Sequence, residues 1–519
     1  MSKYAGEYHW LKVSGDAELF TMVFKPSATG KFPVVVTRTP YDSFDENRDP
    51  KSLVSDFLEY FSEWLDRGYC LVYQHTRGKG GSTGEFIPYI NEQSDGHELL
   101  NWIRKQDFYN GEIYFSGLSY LCSVFLTMTP YADDIKGAIF RVQDSERYRI
   151  FYRNGNLINK KWYFENYKSK QITNKNYENI SETLPYCNAP LKAFGEHAEV
   201  YEEIIKNPDP NAEFWKTHEG GSDARGCTDN VHFPILFTTG FYDFYTGGIF
   251  DMWNSMSAES KKRSAFIVSP YDHNDRAREG LEFPDAHIQE HFGKHFEIDW
   301  FDFIRNKKES FDAPLGKVTY YRIFENKWHS EDFCDAENQI RIPLGNGEKT
   351  YTYDPYDAPE FPGGVSGILE NINYFQPAPN QRDDIITIYT DKFSQDTFVK
   401  GKMRAKLSVK SDCEDTCFYI RISITKPEGD YGLRADIQTL CHQLGDYAPN
   451  TEVELSFECD EHAFLISKGE RLRIDIASAD KAHYIRHTNQ KGLFSEISEA
   501  KSAKNTVNLA KSYLVLPTE

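Results

Sequence analysis

Three residues of this chain have the types, and the order along the polypeptide, that acyl transfer requires: Ser119, Asp243 and His273. A serine hydroxyl is a weak nucleophile until an imidazole takes its proton. The imidazole in turn needs a carboxylate to fix its tautomer and to hold it once charged. Ser119 stands at the apex of a Gly-x-Ser turn, Gly117-Leu118-Ser119, which follows a short run of β-formers at Ile113-Tyr114-Phe115. From Tyr120 to Met128 the chain is mostly apolar and reads as a buried helix. A strand, a sharp turn and a helix in succession lift the hydroxyl clear of a sheet and set it above a helix N-terminus, which favours negative charge.

Asp243 and His273 each follow a later apolar strand pattern, over 234–240 and 265–270, so all three groups fall at carboxyl ends of strands. Asp272 competes for the carboxylate role, but adjacent side chains on an extended loop point apart, which leaves it poorly placed to orient His273. An oxyanion also needs two donors. One is the backbone N–H of Tyr120. The loop after the first buried strand offers Tyr41, whose phenol could donate directly or simply pack.

The elements that must position these groups are legible in order. Residues 8–24 alternate as an opening antiparallel hairpin, and 33–38 is an almost wholly apolar strand of the kind buried on both faces of a parallel sheet. Leu53, Phe57, Phe61 and Leu65 predict a helix over 51–67 that Gly68 stops. A second buried strand spans 69–74, and residues 92–106 form a helix with Leu99, Trp102 and Ile103 inward. Between them, the glycine-rich stretch 76–84 lacks the Ser/Thr and helix start of a phosphate loop and reads as a tight turn. Another strand follows at 135–142. Strands alternating with helices imply a parallel sheet with right-handed crossovers, and Ser, Asp, His in that order on it imply an α/β-hydrolase fold.

The alternation breaks over 148–224, which is helical and crowded with aromatics; an insertion there can cover the strand ends as a cap. Phe151, Trp162 and Trp215 within it, and Phe244 beside the acid, are the candidate apolar walls of a substrate pocket. Residues 225–308 return to the sheet and end in a helix over 286–306, where His287, His291 and His295 recur on one face. No carboxylate at ligand spacing accompanies them, nor a finger-like partner for Cys413 and Cys417, so no metal is expected. From 309 to 519 short alternating runs separated by turns predict a β-sandwich of jelly-roll type. The expected division is 1–147 and 225–308 for the hydrolase domain, 148–224 for the cap and 309–519 for the jelly roll.

A net charge of -20 argues against nucleic-acid or anionic-membrane partners. The N-terminus has no apolar leader, and no run approaches the roughly 20 apolar residues of a membrane span. Nine cysteines, an odd number scattered along the chain, fit a reducing compartment, and the cytoplasm is the expected location. Oligomeric state stays open, homodimer included.

Several motifs together resemble one family. They are RTPY at 38–41, TRGKGGSTGEF at 76–86, the elbow, GFYD at 240–243, SPYDH at 269–273 and WFD at 300–302, with the jelly-roll tail behind them. In this order they are similar to the cocaine esterase-like (CocE/NonD) serine hydrolases, relatives of X-prolyl dipeptidyl peptidases and α-amino-acid ester hydrolases. The resemblance implies Ser119 as nucleophile, Asp243 and His273 as its partners, Tyr41 and the Tyr120 amide as oxyanion donors, a helical cap, and no cofactor. It further implies a small-molecule acyl ester or amide as substrate. One departure stands out: the family elbow reads Gly-x-Ser-Tyr-x-Gly, and here the last position is Cys122. Two alternatives remain open. One is activity on amine-bearing substrates, with cap acids such as Glu165, Glu196, Glu199, Glu202 and Glu203 meeting the amine. The other is a ligand-binding scaffold with a vestigial triad.

Overall fold

The computed structural model describes residues 3–41, 49–158, 181–217, 227–277, 282–362, 375–379 and 381–519. A ten-stranded sheet organises the N-terminal part. Its strands are β1 (Ala5–Lys12), β2 (Glu18–Lys25), β3 (Phe32–Thr39), β4 (Cys70–His75), β5 (Tyr109–Leu118) and β6 (Ile135–Arg141). After two short strands, β7 (Tyr152–Arg153) and β8 (Asn156–Leu157), that pair only with each other, it continues with β9 (Ile235–Gly240), β10 (Ala265–Ser269), β11 (Val318–Arg322) and β12 (Lys327–Glu331). The spatial order is β1-β2-β4-β3-β5-β6-β9-β10-β11-β12. From β4 to β11 all pairings are parallel, and antiparallel pairs flank them on both sides. This is the α/β-hydrolase fold.

The parallel strands are apolar along nearly their whole length because helices cover both faces. On one face Leu53, Val54, Leu65, Phe296, Trp300 and Phe301 pack against Val35, Leu71, Tyr114, Ile139, Leu236 and Ile267. On the other, Leu99, Ile103, Val124, Phe125 and Ile249 pack against Val34, Val36, Phe115, Phe140 and Phe237. Two predicted helices are broken in the structure. The first divides at Phe61 into Pro50–Tyr60 and Ser62–Asp66. The closing one divides at Gly293 (φ 91°) into Ile288–Phe292 and Phe296–Ile304. His287, His291 and His295 therefore do not share a helix face: His287 hydrogen-bonds the Asp275 carbonyl, His291 the Asp285 carboxylate, and His295 lies 4.0 Å from Glu63.

Between β6 and β9 the described residues form short helices around the small β7–β8 hairpin. The C-terminal half is a two-sheet β-sandwich. One sheet holds β13 (Asn338–Pro343), β14 (Glu348–Tyr353), β16 (Thr397–Ser411), β19 (Val453–Ile466) and β21 (Ala503–Thr518). The other is ordered β15 (Ile386–Tyr389), β20 (Arg471–Ala477), β17 (Cys417–Lys426), β18 (Gly429–Thr439). Past residue 308, β11 and β12 extend the large sheet before the sandwich begins. No helix of the described residues is long and apolar enough to cross a membrane.

What matters for the site is how level the strand ends are. Leu118 of β5 is in register with Arg141 of β6, Arg141 with Thr238 of β9, and Thr238 with Ile267 of β10. The loops bearing Ser119, Asp243 and His273 thus leave one common edge. Gly240 permits the last two to touch: a Cβ on it would lie 2.1 Å from the Tyr271 carbonyl oxygen, where the chain instead accepts the Tyr242 N–H at 2.9 Å. Gly240→Ala is expected to lower stability by about 1–3 kcal/mol through overpacking, measured by urea denaturation. An unchanged midpoint would show that the two loops are not locked together there.

Candidate active site

Ser119 occupies a backbone conformation, φ 55° and ψ −128°, that residues with a side chain avoid, at a typical cost of about 1–3 kcal/mol. The fold holds it there from three sides. Its N–H donates to the Arg141 carbonyl at 2.9 Å, and its own carbonyl accepts the Cys122 N–H at 2.8 Å. Gly117 leaves room for the returning helix, since a Cβ there would meet the Leu121 carbonyl oxygen at 2.7 Å. The helix Tyr120–Leu126 starts directly behind the serine.

The strongest polar contact is between the other two predicted residues. His273 Nδ1 and Asp243 Oδ2 are 2.9 Å apart, with the carboxylate fully buried and the imidazole 7% exposed. The second oxygen of Asp243 accepts the Tyr245 N–H at 2.7 Å. With Nδ1 engaged, Nε2 is the nitrogen left to exchange a proton. Phe244 stacks on the imidazole at 5.3 Å and 17°, so this predicted wall residue does stand at the site. Asp272 serves its own loop by accepting the Asn274 and Arg276 N–H groups.

Tyr41 brings its phenol to Ser119. Burial pushes the phenol above its ordinary pKa, and hydrogen bonds from the Ser119 side chain and the Tyr120 backbone N–H offset part of that rise. The residue as a whole is 39% exposed while its hydroxyl, turned toward Ser119, is desolvated. The phenol stays protonated at neutral pH and remains a donor. Tyr245 joins the two halves electrostatically, since both Asp243 and Tyr41 act on its phenol. Beside His273 opens a cleft of about 490 Å³ whose polar lining includes Arg141, Thr238, Thr239, Asp275 and His287.

The other two described wall candidates pack among buried rings. Trp215 is fully buried, with Nε1 donating to the Asn207 carbonyl at 3.0 Å and its ring packed on Tyr148, Tyr152 and Phe214. Phe151 is also fully buried, against Trp215 and Tyr89. Both are core of the region between β6 and β9, because large rings at helical spacing fill interiors as readily as they line cavities. Trp162 falls outside the described residues. Cys122 fits where a glycine was expected: its thiol donates to the Arg141 carbonyl at 3.3 Å and accepts the Arg141 N–H at 3.2 Å.

Sequence reasoning passed over a buried group behind the elbow. The Tyr120 phenol donates to Glu92 Oε1 at 3.0 Å, and Glu92 faces Arg38. The signal was available, because Glu92 stands seven residues before Leu99 and hence on the apolar stripe of its helix.

Comparison with known proteins agrees with this architecture. Residues 15–275 match the family model described as X-Pro dipeptidyl-peptidase (S15 family), and residues 311–513 match the X-Pro dipeptidyl-peptidase C-terminal non-catalytic domain. The cocaine esterase of Rhodococcus sp. (strain MB1 Bresler) is 23% identical over 573 residues, covering 95% of each chain. A selenomethionine-labelled α-amino acid ester hydrolase superposes with a TM-score of 0.83 at 17% identity, over 100% of this chain and 97% of that one. An aminopeptidase from a marine sediment Thaumarchaeota archaeon gives 0.81 at 16% identity, over 100% and 96%.

The thiol of Cys122 is completely buried and burial pushes its pKa up to about 12, which removes it as a rival nucleophile. N-ethylmaleimide at pH 8 is expected to leave Cys122 unmodified in the native protein and to label it after denaturation, read by peptide mass mapping. Rapid native labelling would show the thiol to be reachable.

Proposed function

The chain belongs to the S15 family of X-Pro dipeptidyl-peptidases and is a hydrolase, and from that premise we propose that it cleaves small carboxylic esters through an acyl-enzyme formed on Ser119. The observation that carries the reading is the buried Asp243–His273 hydrogen bond of 2.9 Å on the same sheet edge as the strained Ser119 turn. Ser119 Oγ attacks the ester carbonyl carbon while its proton passes to His273 Nε2. Asp243 stabilises the imidazolium, and the charge on the carbonyl oxygen is met by the Tyr41 hydroxyl and the Tyr120 N–H. The C–O bond then breaks, the leaving alkoxide takes the proton from Nε2, and the acyl group stays on Ser119. Water attacks in turn, with His273 accepting its proton and returning one to Ser119. A cytoplasmic location accords with nine unpaired cysteines.

The family name and two of the compared proteins raise a second reading, in which the substrate carries a free amine or the scissile bond is an amide. An ammonium needs a carboxylate to meet it. Among the described residues near the site, Asp144 is held by Arg149 and the Glu146 N–H, Glu92 faces Arg38, Asp272 is bound within its loop, and Asp275 in the cleft lining accepts the Ile288 N–H and faces His287 at 3.6 Å. This favours simple acyl esters.

Ser119→Ala is expected to reduce p-nitrophenyl butyrate turnover by at least about 10³-fold and to abolish labelling by a fluorophosphonate probe. Wild-type protein that fails to label would return the scaffold reading, and an active mutant would remove Ser119 from the chemistry. An amino-acid ester and its des-amino analogue are expected to react at similar rates. A strong preference for the free amine would replace the esterase reading with the second one.

A further inference from the structure

Behind the elbow lies a buried chain of polar groups that the mechanism above does not use. Glu92, at the start of the helix Glu92–Ile103, is 3% exposed, and Arg38 in β3 is fully buried. Arg38 Nη2 lies 3.3 Å from Glu92 Oε2, Nη1 donates to the Glu92 carbonyl at 2.8 Å, and Nε donates to Gln74 Oε1 at 2.9 Å. Glu92 Oε1 accepts the Tyr120 hydroxyl at 3.0 Å, and that hydroxyl accepts the Tyr89 N–H at 2.7 Å. Tyr89 is held in a left-handed conformation, φ 67°, with its ring 4.9 Å from that of Tyr120. Both ends of this chain reach the oxyanion donors: Tyr120 supplies the amide, and Arg38 precedes Tyr41 by three residues in one short segment.

We propose that Glu92 is a positioning residue, which through the Tyr120 phenol on one side and Arg38 on the other sets the two oxyanion donors, the Tyr120 N–H and the Tyr41 hydroxyl, relative to Ser119. It touches no substrate. A tyrosine fixed at its ring end as well as by the helix cannot swing its amide, so the donor is in place before the carbonyl oxygen gains charge. Replacing the carboxylate weakens a charge-assisted hydrogen bond to the phenol and loosens Arg38. Burial pushes the Glu92 carboxyl up to about 7, with Asp95 raising it further and Arg38, Tyr120 and Arg77 opposing; Tyr89 also lies within electrostatic reach. The brace is raised toward neutrality and gains a proton as the pH falls, so turnover should fall on the acid side with one proton more in the wild type than in Glu92→Gln.

The inference rests on the Ser119 reading and is tested with Glu92→Gln, Tyr120→Phe and the double variant on p-nitrophenyl butyrate. Each single change is expected to lower kcat about tenfold or more with KM within about twofold, and the double to lose no more than the worse single, because the two act as one unit. The acid limb of the kcat profile is expected to lose one proton's steepness in Glu92→Gln. Wild-type kcat in Glu92→Gln, or multiplicative losses in the double, would overturn the proposal. Should Glu92→Gln not fold, Tyr120→Phe, which keeps the Arg38–Glu92 pair, decides alone: normal kcat refutes. An active Ser119→Ala would sink the site reading itself, whereas an inactive one beside a normal Glu92→Gln sinks only this inference.

Discussion

Asp243 is a carboxylate taken wholly out of water whose hydrogen-bond partners among the described residues are the Tyr245 N–H and the His273 imidazole. Burying a charge this way is costly unless hydrogen bonds replace the lost water. One backbone N–H and one imidazole do so here, and much else in the molecule keeps them there. Gly240 admits the histidine loop, and Thr246 ties the acid loop to the Gly240 and Asp243 carbonyls. The β-sandwich closes the far side, where Tyr242 donates to the Gly432 carbonyl at 2.9 Å and Phe241 packs against His462. The imidazole gains a charge partner that water cannot screen.

The sandwich is bound to the rest by more than that loop. Arg153, in the β7–β8 hairpin, reaches Asp436 and Asp460 at 2.8 Å each, and Cys417 lies 2.8 Å from Asn156. Buried ion pairs of this kind add little net stability but punish misalignment, because a shift leaves charges unpaired. The seam thus acts as a register device between the segment joining β6 to β9 and the sandwich.

Much of this was legible in the residues. Parallel strands buried on both faces write continuous apolar runs, so their order, and with it the order of Ser119, Asp243 and His273, could be read directly. Features that depend on tertiary context could not. The apolar pattern runs unbroken through Gly293, and only the chain's need to turn there divides the helix. Strands β11 and β12 lie past the last predicted sheet strand, yet pairing of β11 with β10 and of β12 with β11 adds both to the large sheet. Phe151 and Trp215 illustrate a general ambiguity: an aromatic facing inward looks the same in sequence whether it meets a ligand or other side chains. Glu92 is the converse, a charge on an apolar stripe whose partner, Arg38, lies 54 residues away.

The hydrogen bond from Tyr242 to Gly432 spans 190 residues. Its two ends lie in segments matched by separate family models. The loop carrying Asp243 is thus finished by a backbone carbonyl of the second module. A substitution in the sandwich that moves the Gly432 carbonyl therefore acts on the Asp243 loop from the far end of the chain, with no contact to Asp243 itself.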